Sequence, residues 1–191
     1  DILDLSKIEA GKLELEQADF DLVATVEGLA DVVGHRAAAK GLELIVCVHP
    51  DVPRCLRGDA TRLRQVLVNL AGNAIKFTEH GEVAVTVERD TQAESPDTLL
   101  FTVRDTGIGI PENRRAAVFE AFTQADGATT RRFGGTGLGL TISRKIVESM
   151  QGSIWVESEV GKGSAFHFRV CLEPGQTAFP AKSRTHRANQ E

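Results

Sequence analysis

The stretch from Asp59 to Phe77 constrains this chain most. At about 100° of rotation per residue, Leu63, Val66, Leu67, Leu70, Ala74 and Phe77 fall within one broad apolar arc. A helix with such a face must be covered by a sheet or by other helices. Asn69, Asn73 and Lys76 stand at i, i+4 and i+7, on a narrow stripe along one edge of that arc. Asp59 is placed to cap the helix start, because its carboxylate can accept from a backbone N–H of the first turn.

The neighbouring segments supply the cover. Residues 1–12 read as the last turns of a helix, with Ile2, Leu5 and Ile8 at helical spacing and Gly11 near the end. Leu13 to Glu16 alternates and predicts a short strand. Asp21 is a cap for a helix whose stripe is Leu22, Val26, Leu29, Val33 and Ala37, and Gly41 ends it. Leu42 to Val48 reads as a strand, and Pro50 and Pro53 mark a loop. Two strands are expected near 82–89 and 98–105. A helix is expected from about Gly137 to Met150, closed by Gly152, with final strands at about 153–158 and 164–171. Strands and helices are interspersed, but not in a strict βαβ series. The expected fold is therefore α+β: a two-layer α/β sandwich, with a mixed sheet of about five strands and three helices on one face. Residues 173–191 are polar and aperiodic and read as a linker or tail.

Composition excludes some roles. Apolar residues make up 41% of the 191, enough for a core. The net charge is −5 and the basic residues are scattered, which argues against a nucleic-acid surface. No apolar run approaches the roughly 20 residues that span a bilayer. The three cysteines lack metal-ligand spacing and are expected to be reduced thiols. Met150 is the sole methionine, so the sequence is expected to be part of a longer protein.

Chemistry concentrates at three places. Asparagine is a mediocre helix former, so two on one stripe with a lysine ask for a reason. An amide oxygen suits Mg²⁺, which prefers oxygen ligands, and a lysine can meet a phosphate as a point charge; a solvated polar edge is the alternative. Asp105 ends a strand and opens Asp105-Thr106-Gly107-Ile108-Gly109. A buried carboxylate there can accept from the exocyclic amino group of adenine and would reject guanine; a turn-capping aspartate is the alternative. Glycines 107 and 109 would let the backbone pass close to a flat base. Gly134 to Leu140 opens a helix, where free N–H groups and the helix dipole favour an anion such as phosphate; a flexible hinge is the alternative. Residues 106–136 between these motifs are mostly irregular and hold five glycines. Phe119 and Phe122 can anchor the start of this loop, and the rest reads as a lid. Arg131 and Arg132 either contact phosphates or are solvated.

These motifs, in this order, resemble the catalytic and ATP-binding domain of sensor histidine kinases, in the superfamily shared with gyrase-type and mismatch-repair ATPases. Asn69-Leu70-Ala71-Gly72-Asn73-Ala74-Ile75-Lys76-Phe77-Thr78 resembles the N box. Asp105 to Gly109 resembles the first glycine box, Phe119-Glu120-Ala121-Phe122 the F box, and Gly135 to Leu140 the second glycine box. The resemblance covers about residues 1–172 and implies a Bergerat-type fold. It implies that residues 1–12 end a dimerisation and phosphoacceptor helix, that 13–172 are the catalytic domain, and that 173–191 lead on, as in hybrid kinases, toward a receiver domain.

The same resemblance implies catalytic roles for Asn69, Asn73 and Lys76, with Asn73 as the Mg²⁺ ligand. It implies an ATP site formed by those residues with Phe77, Asp105, Gly107, Ile108, Gly109, Phe122, Arg132, Gly135, Thr136, Gly137, Leu138 and Gly139. The family's acceptor histidine lies in a stretch like H-E-x-R-T-P, and none of His35, His49, His80, His167 and His186 has that context. The implied activity is transfer of the γ-phosphate of Mg-ATP to a histidine outside this chain, in a homodimeric parent that signals to a response regulator. The implied location is the cytoplasm, in the parent's cytoplasmic part if that protein is membrane-bound. The alternatives are an ATP-hydrolysing clamp, a non-catalytic scaffold, or a serine kinase of the anti-sigma-factor type. Clamp-type relatives carry a glutamate where this chain has Asn69, and an amide cannot act as the general base that hydrolysis needs.

Overall fold

The computed structural model describes Ser6, residues 13–120 and residues 137–179. Among these, the elements in chain order are β1 (Ala18–Asp21), α1 (Leu22–Ala39), β2 (Glu43–Val48), β3 (Cys55–Gly58), α2 (Ala60–Phe77), β4 (Glu82–Arg89), β5 (Thr98–Asp105), α3 (Gly139–Ser149), β6 (Ser153–Glu159) and β7 (Gly163–Cys171). Single 3₁₀ turns lie at Glu112–Arg114 and Ala117–Phe119.

Five strands form a mixed sheet in the order β2-β4-β5-β7-β6. Only β2 and β4 pair in parallel; the other pairs are antiparallel. The two-residue period of a strand sends alternate side chains to one face. Val83, Val85, Val87, Leu99, Phe101, Val103, Phe166, Phe168 and Val170 are buried there beneath the helices. Phe101 faces Phe168 across β5 and β7, with ring centroids 4.6 Å apart. The helix layer adds the expected stripe of α1, with Leu22, Val26, Leu29, Val33 and Ala37 all buried. From α2 it adds Leu63, Val66, Leu67, Leu70, Ala71, Gly72, Ala74 and Ile75. The expected α+β sandwich is the observed fold.

Two caps and one lysine set α2 in place. Asp59 accepts from the backbone N–H of Arg62 at 2.9 Å, and its other oxygen accepts from that of Glu16 at 3.0 Å. At the far end, Lys40 donates to the carbonyls of Ile75, Lys76 and Thr78 at 2.7, 2.9 and 3.0 Å. A cation on these unpaired carbonyls also suits the helix dipole. The end of α1 is thereby fixed to the end of α2, next to Lys76.

Several expectations are corrected. Leu13–Glu16 is not a strand, because Glu16 spends its N–H on Asp59; the strand begins at Ala18. Its partner β3 went unforeseen, since Cys55-Leu56-Arg57-Gly58 lacks strand-forming residues and pairs because β1 lies beside it. Helix α3 starts at Gly139 rather than Gly137. Beyond Leu172 the chain stays on β3: Gly175 N–H donates to Cys55 O at 2.9 Å, and the backbone N–H groups of Gln176 and Thr177 each donate to Asp19 at 2.9 Å. The helix expected at 1–12 and the tail beyond residue 179 lie outside the described residues, Ser6 apart. No helix among the described residues is long and apolar enough to cross a membrane.

Candidate functional site

Helix α2 lies between α1 and α3, and its polar edge is half-buried there. A half-buried amide needs a partner or a ligand. Asn69 has a partner: its Nδ2 donates to Ser143 Oγ of α3 at 2.8 Å. A Cβ at Gly139 would stand 2.2 Å from Asn69 Oδ1, so a side chain there would push this amide aside. Sequence reading did not find Ser143, whose only signal was its place one turn into the helix.

Asn73 and Lys76 line an open cavity of about 510 Å³ together with Asn69 and Gly72, and with Arg36 from α1. Lys76 Nζ stands 4.9 Å from the centroid of the Phe77 ring. Burial, and then the charge of Arg36, hold the Lys76 ammonium below the usual lysine pKa.

Asp105 ends β5 and is buried. Its Oδ1 accepts from Gly107 N–H at 2.8 Å and Ser164 N–H at 3.3 Å, while Oδ2 accepts nothing among the described residues. Burial holds the carboxyl above the ordinary carboxylate range, and these two backbone bonds offset part of the rise. One carboxylate oxygen is thus fixed by backbone and the other is left for a donor from outside.

The glycines of this turn have a packing role that sequence reading did not foresee. A Cβ at Gly107 would stand 2.4 Å from Phe77 O, and one at Gly109 would stand 2.1 Å from Glu159 O. Gly109 also has φ +72°. The close approaches are to the chain's own backbone. Ile108 N–H donates to Phe77 O at 3.3 Å, and Gly161 N–H donates to Ile108 O at 2.9 Å. The turn is wedged between the end of α2 and the β6–β7 hairpin, and it leaves the Ile108 side chain 46% exposed.

The three expected features therefore meet along one helix. The Asp105 turn packs on the last residue of α2, and the start of α3 packs on Asn69, eight residues or about 12 Å earlier. Gly139 borders this edge, and none of Asp105, Gly137 and Gly139 lines the cavity. Leu138 is buried in the core. Phe119 anchors its segment as expected: it meets Phe166 edge-on, with centroids 6.0 Å apart, and its carbonyl accepts from Thr141 Oγ1 at 3.1 Å. Phe122, Arg132, Gly135 and Thr136 lie outside the described residues. Among the described residues no group of three His, Cys, Asp or Glu side chains can hold a metal. An amide-bearing edge that leaves most coordination positions to water and phosphate still fits Mg²⁺.

A two-layer sandwich with an asparagine-bearing helix, a strand-end aspartate in a glycine turn and a glycine-lined helix start defines a nucleotide-binding domain of the ATPase and kinase class. Residues 58–174 match the family described as histidine kinase-, DNA gyrase B-, and HSP90-like ATPase. The chain is 45% identical over 173 residues to the signal transduction histidine-protein kinase BarA of Escherichia coli, covering 91% of this chain and 19% of that protein. It is 43% identical over 185 residues to hybrid signal transduction histidine kinase L of Dictyostelium discoideum, covering 96% of this chain and 11% of that one. It superimposes on full-length ShkA, solved in complex with AMPPNP, with a TM-score of 0.80 and 35% identity over 92% of this chain and 35% of that one. The chain belongs to the histidine kinase-, DNA gyrase B- and HSP90-like ATPase family, and within it to the histidine kinase catalytic domains. It spans about a fifth or less of the length of these two curated relatives.

Proposed function

We propose that the chain binds Mg-ATP and transfers its γ-phosphoryl group to a histidine of a separate dimerisation and phosphoacceptor domain of the same parent protein. The observation that carries this reading is the pairing of a free acceptor oxygen at Asp105 with the Asn73–Lys76 edge on the same helix end. Asp105 Oδ2 accepts from the adenine amino group, and Phe77 packs beside the base. Asn73 offers an amide oxygen to the cation, and Lys76 meets the phosphates. Bound Mg²⁺ supplies charge neutralisation between the phosphate oxygens.

Little covalent chemistry is left to the protein, and catalysis is positioning and electrostatic stabilisation. The lone pair of a neutral imidazole nitrogen forms the N–P bond while the bond from the γ-phosphorus to the β–γ bridging oxygen breaks. ADP leaves with that electron pair. Asn69 supports transfer over hydrolysis, because its amide donates to Ser143 and cannot activate water as a carboxylate would. Residues 13–172 act as the catalytic unit, residues 1–12 end the phosphoacceptor helix, and the chain past 173 leads on to a receiver domain or response regulator. The parent works as a homodimer with this part in the cytoplasm.

The test is transfer in trans. With γ-³²P-ATP and magnesium the chain alone should remain unlabelled, and an added phosphoacceptor domain should gain label on histidine. Strong self-labelling would place the acceptor within this chain. Release of inorganic phosphate without labelled histidine would favour the hydrolytic clamp.

A further inference from the structure

We infer that Arg36 of α1 binds the terminal phosphate of the nucleotide, an assignment that rests on the ATP reading above. Arg36 is 33 residues before Asn69 and belongs to none of the motifs that mark the site. The fold brings it there. A Cβ at Gly72 would stand 3.4 Å from Arg36 Nη1, so the guanidinium lies over this position of α2. Gly72 stands three residues after Asn69, beside Asn73 and four before Lys76, and its lack of a side chain leaves the approach open.

Charge in the cavity points to an anion. Its described lining holds Arg36, Arg64 and Lys76 and no carboxylate, although acidic residues outnumber basic ones 27 to 22 in the whole chain. Arg64 is turned toward α1, where its Nη2 lies 3.5 Å from Gly28 O. Arg36 forms no hydrogen bond or ion pair among the described residues, and its charge adds to the burial that lowers the Lys76 pKa. Two like charges facing each other over a glycine are unfavourable alone and favourable around a multiply charged phosphate. The planar fork of a guanidinium matches two phosphate oxygens at once.

The position of Arg36 on the helix selects which phosphate. At about 100° per residue, moving round α2 in one direction from Phe77 reaches Asn73 after roughly 40°, Lys76 after roughly 100° and Gly72 after roughly 140°. The Asp105 turn packs on the Phe77 carbonyl, at the end of α2 where that arc starts. Arg36 stands at its far end, so a nucleotide whose base lies at Asp105 presents its last phosphate there. In transfer, Arg36 neutralises charge on the equatorial oxygens of the migrating phosphoryl group, and it releases ADP more readily than it releases ATP.

Calorimetric titration of ATP, ADP and AMP with magnesium, on the chain and on Arg36→Gln, tests this. ATP affinity should fall about tenfold or more, as expected for loss of a charged hydrogen bond. ADP should change much less and AMP not at all, and Arg36→Lys should restore part of the ATP affinity. Arg36 is exposed, so an unchanged thermal melt should accompany the loss. An unaltered ATP-to-ADP affinity ratio in Arg36→Gln would overturn the assignment while leaving ATP binding intact. Failure of the unaltered chain to bind ATP would overturn both readings.

Discussion

In the turn Asp105–Gly109 the tightest approaches at its two glycines are made by backbone. Carbonyls of Phe77 and Glu159 press on Gly107 and Gly109, and peptide N–H groups hold one oxygen of Asp105. In the cavity over α2 the walls are long side chains, Arg36, Lys76, Asn73 and Gln65, around an open volume. The two regions border the same helix and, under the proposed function, solve different problems. Choosing one base needs a single acceptor held in a fixed place, and a wedged backbone turn provides that. Handling phosphates that arrive, transfer and leave needs charges on flexible stems, which adjust at little cost. Rigidity at one end and adaptability at the other follow from which part of the polypeptide does the contacting.

The comparison breaks if the turn tolerates bulk. Gly109→Ala would face both the left-handed backbone and the Glu159 carbonyl, so it should destabilise the fold by about 2–5 kcal/mol. Gly161→Ala has φ +80° and open space, and should cost only about 1–2 kcal/mol. Equal denaturation midpoints for the two variants would show that the turn is not wedged. Next in size, Asp105→Asn should weaken ATP binding by roughly 10- to 100-fold, the worth of a charged hydrogen bond of about 1.5–3 kcal/mol. Its melting temperature should hold, because an amide oxygen can still accept from Gly107 and Ser164. Unchanged affinity by calorimetry would remove Asp105 from the site.

At the adaptable end, Asn73→Ala should cost at least about tenfold in affinity with magnesium present and little without it. A magnesium titration with the same response as the unaltered chain would refute the ligand role. The smallest effect is that of pH. The Asp105 pKa is raised, and under the proposed function the ionised form is the one that accepts from adenine. ATP affinity should therefore be full above the raised value and decline as pH falls through it, starting higher than the ordinary 3.8 of an aspartate. Asp105→Asn should lose this part of the pH profile.

Much of this molecule was legible in one dimension. Stripes such as Leu22, Val26, Leu29, Val33 and Ala37 state their helix and its buried face, because both depend only on local spacing. The caps at Asp21 and Asp59 are equally local, each accepting from the backbone three residues on. Strand β3 was not legible, since its four residues pair only because β1 lies alongside.

The same division runs through the site. Sequence alone determined that Asn69, Asn73 and Lys76 share an edge of one helix and that Asp105 ends a strand, because helical rotation and strand alternation are properties of neighbours. Only the tertiary structure decided that Gly107 and Gly109 accommodate the chain's own carbonyls, that Asn69 is tied to Ser143, and that Arg36 leans over Gly72. Those contacts join residues 30 to 74 positions apart, and local spacing carries no information about what a fold brings together across such distances.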